Sequence, residues 1–310
     1  MHYVTFRAMG CAMGAWVLAT DSRLAQERLD LVRAWMALVD KTLTRFDPGS
    51  ELMHLNMHVA TPVQVSPLLW DALTVALDAA QETEGRYDPT MFDALVAAGY
   101  DRDFDGIDAD DGVATQQEVA YNAAHTWHDI ARDPFTRRVT LPPGIHLDLG
   151  GIAKGWAAAR AADFLANLGP CLVDAGGDLA VRGTLPDADG WAVGVAAPDA
   201  EERLLAHLVV KDRGVATSGV DYRRWTRGGA EQHHIIDPRT GRPATTDLRT
   251  ATVIAPDATQ ADLYALVVML LGREQGLAYL QVHAGLDGLL VDDEGRQWLT
   301  PGMRAYLRDA

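Results

Sequence analysis

Helix-like and strand-like runs follow one another in an irregular order along this chain. The clearest helical pattern covers residues 23–46, where large apolar residues recur every three or four positions between charged residues. Strand-like runs precede it around residues 2–19, and several more follow after residue 170. A parallel α/β sheet requires regular alternation of strand and helix, which this order lacks. The sequence therefore predicts an α+β fold.

Capping and turn residues place further elements. Ser66 and Pro67 are typical of a helix start, and the helix is predicted to end near Gly85. Residues 127–141 alternate like a hairpin with its turn at Asp133-Pro134. Other predicted helices cover residues 152–168, 259–272 and 301–308. Other predicted strands lie near residues 172–173, 179–181, 191–196, 206–210, 214–218, 250–255 and 286–291, and residues 101–118 are predicted to form an exposed acidic loop.

Composition limits the classes of protein to which the chain can belong. It has 310 residues, of which 48% are hydrophobic and 23% charged, as in globular proteins of one large or two smaller domains. Its formal net charge of −16 argues against nucleic acids and anionic membrane surfaces as partners. Two cysteines, Cys11 and Cys171, provide neither a disulfide framework nor a structural zinc site.

No apolar run reaches the roughly 18 residues that a transmembrane helix needs. The N-terminus begins Met1-His2-Tyr3 and lacks a basic segment followed by an apolar one, which a secretory signal would have. The sequence as written therefore predicts no transmembrane segment and a cytoplasmic location.

Small-residue turns are the first candidates for a binding site. Residues 148–155 read Asp-Leu-Gly-Gly-Ile-Ala-Lys-Gly and lead into a predicted helix, whose N-terminal N–H groups suit an anion. Lys154 lies in the first turn, where the helix dipole disfavours a cation, so its presence indicates a negative ligand nearby. Gly176-Gly177-Asp178 and Thr217-Ser218-Gly219 are similar small polar turns. Three such turns predict loops that converge on an extended polar ligand.

Titratable residues supply the candidates for chemistry. The run from His233 to Gly241 contains Asp-Pro-Arg-Thr-Gly, which is typical of a turn. A histidine beside such a turn, with a carboxylate near it, is a candidate general base. Asp262 opens the apolar helix predicted at residues 259–272, where it could be a first-turn helix acid or a ligand of a hard metal ion.

Together these runs resemble the ApbE-type flavin transferases, in order and over nearly the whole chain. No single motif is decisive, but eight in the right order are specific. They are Ala8-Met9-Gly10; Leu43 to Phe46 with Ser50-Glu51-Leu52 and Asn56; Gly85 to Thr90; Asp148 to Gly155; Asp174 to Asp178; Ala216 to Gly219; His234 to Gly241; and Ala261-Asp262.

The resemblance implies a single α+β domain over residues 1–310, with FAD in a cleft between its two halves. It implies Mg²⁺-dependent transfer of FMN from FAD to a threonine hydroxyl of a target flavoprotein, with release of AMP. His234 is then the candidate base that takes the threonine proton. The FAD contacts that the resemblance implies are Met9, Phe46, Asp88, Thr90, Asp148, Lys154 and, through its backbone, Ile236. The metal ligands that it implies are the carbonyl oxygen of Gly151 and the carboxylate of Asp262.

The chain departs from the family pattern at three positions. Cys11 stands where threonine is usual, Ala159 where aspartate is frequent, and Leu266 where a threonine ligand of the metal is expected. Leucine cannot bind a metal, so the predicted magnesium site lacks one ligand. Members of the family that the chain resembles are commonly exported lipoproteins, so we expect this chain to be a cytoplasmic variant or one that lacks its leader.

Two other functions stay open at this point. An enzyme of the same fold could hydrolyse FAD to FMN and AMP, with water in place of the target threonine. A protein with the same site could also bind or store FAD without turnover, which the loss of a metal ligand at Leu266 makes plausible.

Overall fold

The computed structural model describes residues 1–107, 126–198 and 200–308. Within these residues the α-helices are α1 (Ser22–Leu43), α2 (Glu51–Asn56), α3 (Pro67–Glu82), α4 (Phe92–Ala97), α5 (Ala153–Ala166) and α6 (Ala258–Val282). The strands are β1 (His2–Ala8), β2 (Cys11–Val17), β3 (Val63–Gln64), β4 (Ala131–Asp133), β5 (Arg138–Thr140), β6 (Cys171–Ala175), β7 (Leu179–Arg182), β8 (Trp191–Ala197), β9 (Ala200–Val210), β10 (Gly214–Gly219), β11 (Arg224–Arg227), β12 (Ala230–His233), β13 (Ile236–Asp237), β14 (Arg242–Pro243), β15 (Leu248–Ala255), β16 (Asp287–Asp292), β17 (Gln297–Leu299) and β18 (Leu307–Arg308). The mixture of helices and largely antiparallel sheets confirms the predicted α+β class.

Most elements lie where the sequence predicts them. The pattern at residues 23–46 forms α1, and the glycine-containing run before residue 152 leads into α5. Ser66 caps α3, because its hydroxyl accepts a hydrogen bond from the backbone N–H of Leu69 (3.2 Å). The hairpin with its turn after Asp133 is confirmed as β4 and β5. Local capping and turn chemistry therefore places these elements without help from the rest of the fold.

The helix predicted at residues 301–308 is wrong. Gly302–Ala305 form a single 3₁₀ turn, and Leu307 and Arg308 form β18, which pairs with Leu208 and His207 of β9. Pairing with a distant strand overrides the local helical pattern of this short segment.

The helix predicted at residues 259–272 is too short. α6 reaches Val282, with non-helical backbone angles at Gly272 (φ 73°, ψ 178°). The carboxylate of Asp247 accepts a hydrogen bond from the backbone N–H of Arg273 (2.8 Å), so it caps the second part of the helix. The break at Gly272 therefore begins a new helical segment.

Two short helices, α2 and α4, are absent from the sequence-based prediction. Each has six residues, which is less than two turns and too short for a periodic apolar pattern. Of the predicted loop at residues 101–118, residues 104–106 form a 3₁₀ turn and residues 108–118 lie outside the described residues.

The described chain divides into two compact units. Unit 1 comprises Met1–Ala37, Lys154–Tyr222 and Thr245–Ala310, and unit 2 comprises Leu38–Ala153 and Arg223–Ala244. The predicted single domain over residues 1–310, with its cleft between two halves, stays a prediction.

Unit 1 contains an eight-stranded sheet of order β1-β2-β6-β7-β10-β15-β16-β17 and a three-stranded sheet of order β18-β9-β8. Alternate side chains of the large sheet, such as Val181 and Ile254, pack against Trp191 and Leu208 of the small sheet. Helix α6 contacts β10, β15 and β16, and the core lies between these layers. In the large sheet, the β1–β2 turn carries the predicted flavin contact Met9, and the β6–β7 turn is the predicted small polar turn Gly176-Gly177-Asp178.

Helix α6 is long and apolar enough to cross a membrane when only length and composition are considered, and it is the one such helix among the described residues. Its apolar residues are largely buried in unit 1, and it carries a buried carboxylate, Asp262. Both features are those of a core helix that packs against a sheet.

Unit 2 joins α2, α3 and α4 to three small antiparallel sheets, β3-β5-β4, β11-β12 and β13-β14. The buried side chain of Asn56 donates to the carbonyl oxygen of Leu147 (2.9 Å) and accepts from its N–H (2.8 Å). This pair of hydrogen bonds fixes the extended segment that leads to Asp148, one of the predicted FAD contacts.

Candidate functional site

In unit 2, the structure brings three predicted FAD contacts together. The backbone N–H and the hydroxyl of Thr90 both donate to Oδ1 of Asp88 (2.8 and 2.6 Å). The backbone N–H of Asp148 donates to the carbonyl oxygen of Pro89 (2.8 Å). Burial raises the pKa of Asp88, against the hydrogen bonds from Thr90. Asp88, Thr90 and Asp148 therefore form one polar surface.

Arg45 joins this polar surface to an aromatic group. Its Nε donates to Oδ2 of Asp148 (2.8 Å), and only 6% and 12% of the two side chains are exposed. Its Cζ lies 4.2 Å from the ring centroids of both Phe46 and Tyr100. Phe46 itself is a predicted flavin contact and is 36% exposed. Arg45, which is not among the predicted site residues, thus connects Phe46 and Asp148.

His234 and Ile236 lie in the same part of unit 2. The ring of His234 meets the ring of Tyr100 edge to face, with centroids 6.4 Å apart and planes at 74°. Ile236 packs in a buried apolar cluster with Tyr100 and Trp225. Four predicted site residues, namely Phe46, Asp148, His234 and Ile236, are therefore grouped around Arg45 and Tyr100.

The neighbours of His234 are engaged by the protein itself. Nε2 of His233 bonds to the carbonyl oxygen of Ala244 (3.0 Å), and its Nδ1 accepts from the backbone N–H of Ile235 (3.3 Å). Burial lowers the pKa of His233. Arg239 binds both carboxylate oxygens of Asp237 (2.7 to 3.2 Å) and, against the effect of burial, holds its pKa low. Within this run, His234 is the residue that contacts the ring of Tyr100, and its role as the base stays a prediction.

In unit 1, the structure places Lys154, Asp178 and Asp262 in one buried cluster. Lys154 forms an ion pair with Asp178, whose side chain is 2% exposed. Burial lowers the pKa of Lys154, but the carboxylates of Asp178 and Asp262 raise it more strongly, so that it stays charged. Burial, together with the charge of Asp178, raises the pKa of Asp262 to about 8. A cation bound beside Asp262 would favour the ionised form of its carboxyl group, which burial and Asp178 disfavour.

Close packing of α5 on α6 places Asp262 in this cluster. The backbone N–H of Gly155 donates to Oδ2 of Asp262 (3.1 Å). A Cβ atom at Gly155 would lie 2.3 Å from the carbonyl oxygen of Ala258 and 2.7 Å from Cβ of Asp262. Only glycine fits at this position, because the helices approach so closely. The glycine after Lys154 therefore has a structural reason.

Two glycine turns of unit 1 also meet. A Cβ atom at Gly176, whose φ is +72°, would lie 2.6 Å from Cβ of Cys11. Cys11 follows the β1–β2 turn, in which Met9 and Gly10 both have positive φ. The contact between Cys11 and Gly176 therefore lies two residues after Met9, the predicted flavin contact. Thr217-Ser218-Gly219, by contrast, is wrong as a third turn, because it is the end of β10 and pairs with β15.

The predicted metal ligands lie in different units, Gly151 in unit 2 and Asp262 in unit 1. No group of three or more histidine, cysteine, aspartate or glutamate side chains suited to a metal occurs in the described part of the chain. Leu266 follows Asp262 by one helical turn and is half-buried. The hard oxygens of Asp178 and Asp262 nevertheless fit Mg²⁺, which usually keeps several waters.

Three residues of these two groups, Arg45, Tyr100 and Asp178, are not among the predicted site residues. Asp178 was visible in the Gly-Gly-Asp turn, which marked it as polar but did not reveal its ion pair. Arg45 lies inside the run from Leu43 to Phe46, and Tyr100 follows a short helix with no motif of its own. The roles of all three depend on contacts between distant parts of the chain.

Comparison with known proteins shows extensive similarity. The model of the ApbE family matches residues 9–290. The FAD:protein FMN transferase of Treponema pallidum is 32% identical, over 82% of this chain and 74% of that protein. The FAD:protein FMN transferase of Klebsiella pneumoniae is 28% identical, over 97% of this chain and 88% of that protein.

Solved structures agree with these sequence matches. The crystal structure of the ApbE protein of Thermotoga maritima superposes with a TM-score of 0.86 at 25% identity, and the match covers 99% of both chains. The flavin transferase ApbE of Vibrio cholerae superposes with a TM-score of 0.79 at 24% identity, again over 99% of both chains, and shows a shared fold.

Proposed function

The chain belongs to the ApbE family, and we propose that it is an FAD:protein FMN transferase that moves FMN from FAD to a threonine hydroxyl of a target flavoprotein. The observation that carries this proposal is the grouping in unit 2 of His234, a candidate base, with Phe46, Asp148 and Ile236 as candidate FAD contacts. The similar proteins named FAD:protein FMN transferase supply the reaction class.

The proposed reaction is a phosphoryl-type displacement. The threonine oxygen attacks the phosphorus of the FMN half, a new P–O bond forms, and the P–O bond to the AMP half breaks. AMP leaves with the bridging oxygen, and His234 takes the proton of the hydroxyl. The products are FMN esterified to the protein and free AMP, which balances the atoms of FAD and threonine.

Charges in unit 1 suit the pyrophosphate of FAD. Lys154 is a half-buried cation at the start of α5, and the N-terminus of a helix generally suits an anion. Asp178 and Asp262 would hold Mg²⁺, together with water and phosphate oxygens. When bound, Mg²⁺ would neutralise charge that develops on the pyrophosphate. Because Leu266 cannot act as a ligand, we expect the ion to be held more weakly than with a threonine there.

One incubation tests the proposal against the alternatives. The protein is mixed with FAD, Mg²⁺ and a folded flavoprotein domain that carries an acceptor threonine, and the products are analysed by mass spectrometry. FMN bound covalently to the acceptor supports transfer, and an acceptor with threonine changed to valine must stay unmodified. Free FMN and AMP would indicate a hydrolase, and unchanged FAD would indicate a binding protein.

A further inference from the structure

The guanidinium group of Arg45 is enclosed on three sides. The centroids of Phe46 and Tyr100 are 5.6 Å apart with planes at 57°, and Cζ of Arg45 lies 4.2 Å from each. Its Nε is bonded to Asp148, and its Nη1 donates to the carbonyl oxygen of Tyr100. Nη2 is buried with no hydrogen-bond partner among the described residues. The two ring faces and one carboxylate therefore compensate the cost of burying this cation.

Tyr100 continues the contact from Arg45 to the candidate base. Tyr100 is 7% exposed. Its ring centroid lies 5.5 Å from that of Trp225 and 6.4 Å from that of His234. Trp225 is itself fixed, because its indole N–H donates to the carbonyl oxygen of Ala98 (2.8 Å). The ring of Tyr100 therefore has little freedom, and it presents a fixed partner to the ring of His234.

We propose that Arg45 and Tyr100 are positioning residues that couple FAD binding to the orientation of His234. Arg45 fixes the carboxylate of Asp148 and the ring of Phe46, which are candidate FAD contacts. Tyr100 fixes the plane of the His234 ring, so that its nitrogen points at the hydroxyl from which it takes a proton. The inference rests on the proposed function and adds two residues that act through others.

The chemistry of arginine explains why the position needs this side chain. A guanidinium is planar and delocalised, so that it can lie over aromatic rings while its Nε bonds to a carboxylate, whereas an ammonium group does only one of these well. Arg45→Lys keeps the charge but loses the contact of the guanidinium with the two rings. We expect it to behave more like Arg45→Met than like the wild type.

The first arm of the test measures FAD binding without an acceptor, by fluorescence titration. We expect Arg45→Met and Arg45→Lys to raise the Kd for FAD about tenfold, because Asp148 and Phe46 lose their common support. The matched control is Arg132→Met. It removes an arginine whose Cζ lies 5.8 Å from the centroid of the Trp70 ring, elsewhere in unit 2. Wild-type affinity in both Arg45 variants would overturn the role of Arg45.

The second arm separates a positioning role of Tyr100 from a purely structural one. Tyr100→Phe keeps the ring, and we expect kcat within about threefold of wild type. Tyr100→Leu removes the ring, and we expect kcat to fall about tenfold, the effect of about 1.4 kcal/mol of misorientation, with a smaller change in the KM for FAD. Thermal unfolding curves verify that each variant is folded at the assay temperature. Equal kcat values for the Phe and Leu variants would overturn the role of the ring.

A double variant gives the sharpest result. If Tyr100 acts through His234, Tyr100→Leu must have no further effect on kcat once His234→Ala is present. Multiplication of the two single effects would overturn the inference. Failure of the proposed function would be recognised separately, because the wild-type protein itself would then not transfer FMN. Titration with FAD would still test the role of Arg45.

Discussion

His233 and His234 are neighbouring residues of the same type with different surroundings. Both ring nitrogens of His233 are engaged by backbone groups, and burial lowers its pKa, so this residue is fixed as a neutral structural histidine. His234 contacts the ring of Tyr100 and is half-buried. The contact with Tyr100 distinguishes His234 from His233, and the role of His234 as the base stays a proposal.

We expect His234→Ala to lower the rate of FMN transfer by about 10²–10⁴-fold, the usual contribution of a positioned base. The affinity for FAD should change little, because the loss concerns the proton of the acceptor and not the flavin. Single-turnover kinetics and FAD titration measure the two quantities. The comparison is His233→Ala, which should mainly lower stability; a larger loss of rate in that variant would move the role of the base to His233.

His146 provides a prediction about pH. Its Nδ1 bonds to Asp93 (2.7 Å), and this hydrogen bond and the nearby charge raise the pKa of the histidine. A folded-state pKa above the unfolded value of about 6.5 stabilises the protein below that pH, and the contribution is lost as the pH rises through the folded-state pKa. We expect His146→Gln to lower the free energy of unfolding by about 0.5 kcal/mol at pH 5.5, since the pair is partly exposed.

Urea unfolding of wild type and His146→Gln across the pH range measures this difference. The difference in free energy of unfolding should approach zero near pH 9, where the imidazole of His146 is neutral. At that pH glutamine can replace the hydrogen bond from His146 to Asp93. Asp93→Asn should give the same pH dependence, because it removes the other half of the pair. A difference that stays constant from pH 5.5 to 9 would show that the charge of His146 contributes nothing.

At the scale of elements, the contact between α5 and α6 determines where Asp262 lies. Gly155 allows the backbones to approach, and its N–H bonds to the carboxylate of Asp262. Helix propensity alone would favour alanine over glycine at this position by about 1 kcal/mol. Gly155 therefore lowers the intrinsic stability of helix α5 but allows α5 to pack closely on α6.

We expect Gly155→Ala to destabilise the protein by about 1–3 kcal/mol, as overpacking in a close contact does. The added methyl group would meet the backbone oxygen of Ala258, which cannot rotate away as a side chain would. The matched control is Gly106→Ala, which would meet nothing closer than 3.6 Å and should be nearly neutral. Chemical unfolding measures both, and equal stability of the two variants would contradict the account of this contact.

The elements also show which parts of the fold a sequence predicts. α1 and α3 have long apolar stripes or clear caps, and they are found near their predicted bounds. The segment 301–308 looks helical by itself, but its end pairs with β9, which lies about 100 positions earlier in the chain. The continuation of α6 after Gly272 depends on a cap from Asp247, 26 positions away. Local patterns therefore predict an element until a distant partner changes it.

At the scale of the whole molecule, the same limit applies to the site. Types of residue that carry chemistry, such as His234 and Asp262, are visible in the sequence, and family resemblance supplies their candidate roles. Arg45 is 55 positions from Tyr100, and only the tertiary structure shows their contact. Asp178 likewise becomes a partner of Lys154 only when the β6–β7 turn and α5 come together. A resemblance identifies the reacting groups more readily than the residues that hold them.

The metal gives a prediction that involves the whole site. We expect the free protein to bind Mg²⁺ poorly and FAD and Mg²⁺ to bind cooperatively, because the ion would need phosphate oxygens as well as Asp178 and Asp262. Asp262→Asn should remove this cooperativity. Leu266→Thr should lower the Mg²⁺ concentration for half-maximal transfer by about tenfold, since it restores an oxygen ligand.

Calorimetric titration of Mg²⁺ with and without FAD measures the cooperativity, and the transfer rate measures the half-maximal concentration. A thermal unfolding curve of Leu266→Thr serves as a control, because this residue is half-buried. Full transfer activity of wild type, Asp262→Asn and Leu266→Thr in excess EDTA would mean that the chain does not use the proposed metal.

The ratio of AMP released to FMN bound covalently tests the central claim most directly. Wild-type protein, FAD, Mg²⁺ and a folded acceptor domain are incubated to several extents of reaction, and both products are quantified in the same samples. Transfer predicts one AMP for each FMN on the acceptor at every time, and neither product when the acceptor threonine is replaced by valine. AMP that accumulates at the same rate without a usable threonine would contradict the account and assign the chain to FAD hydrolysis.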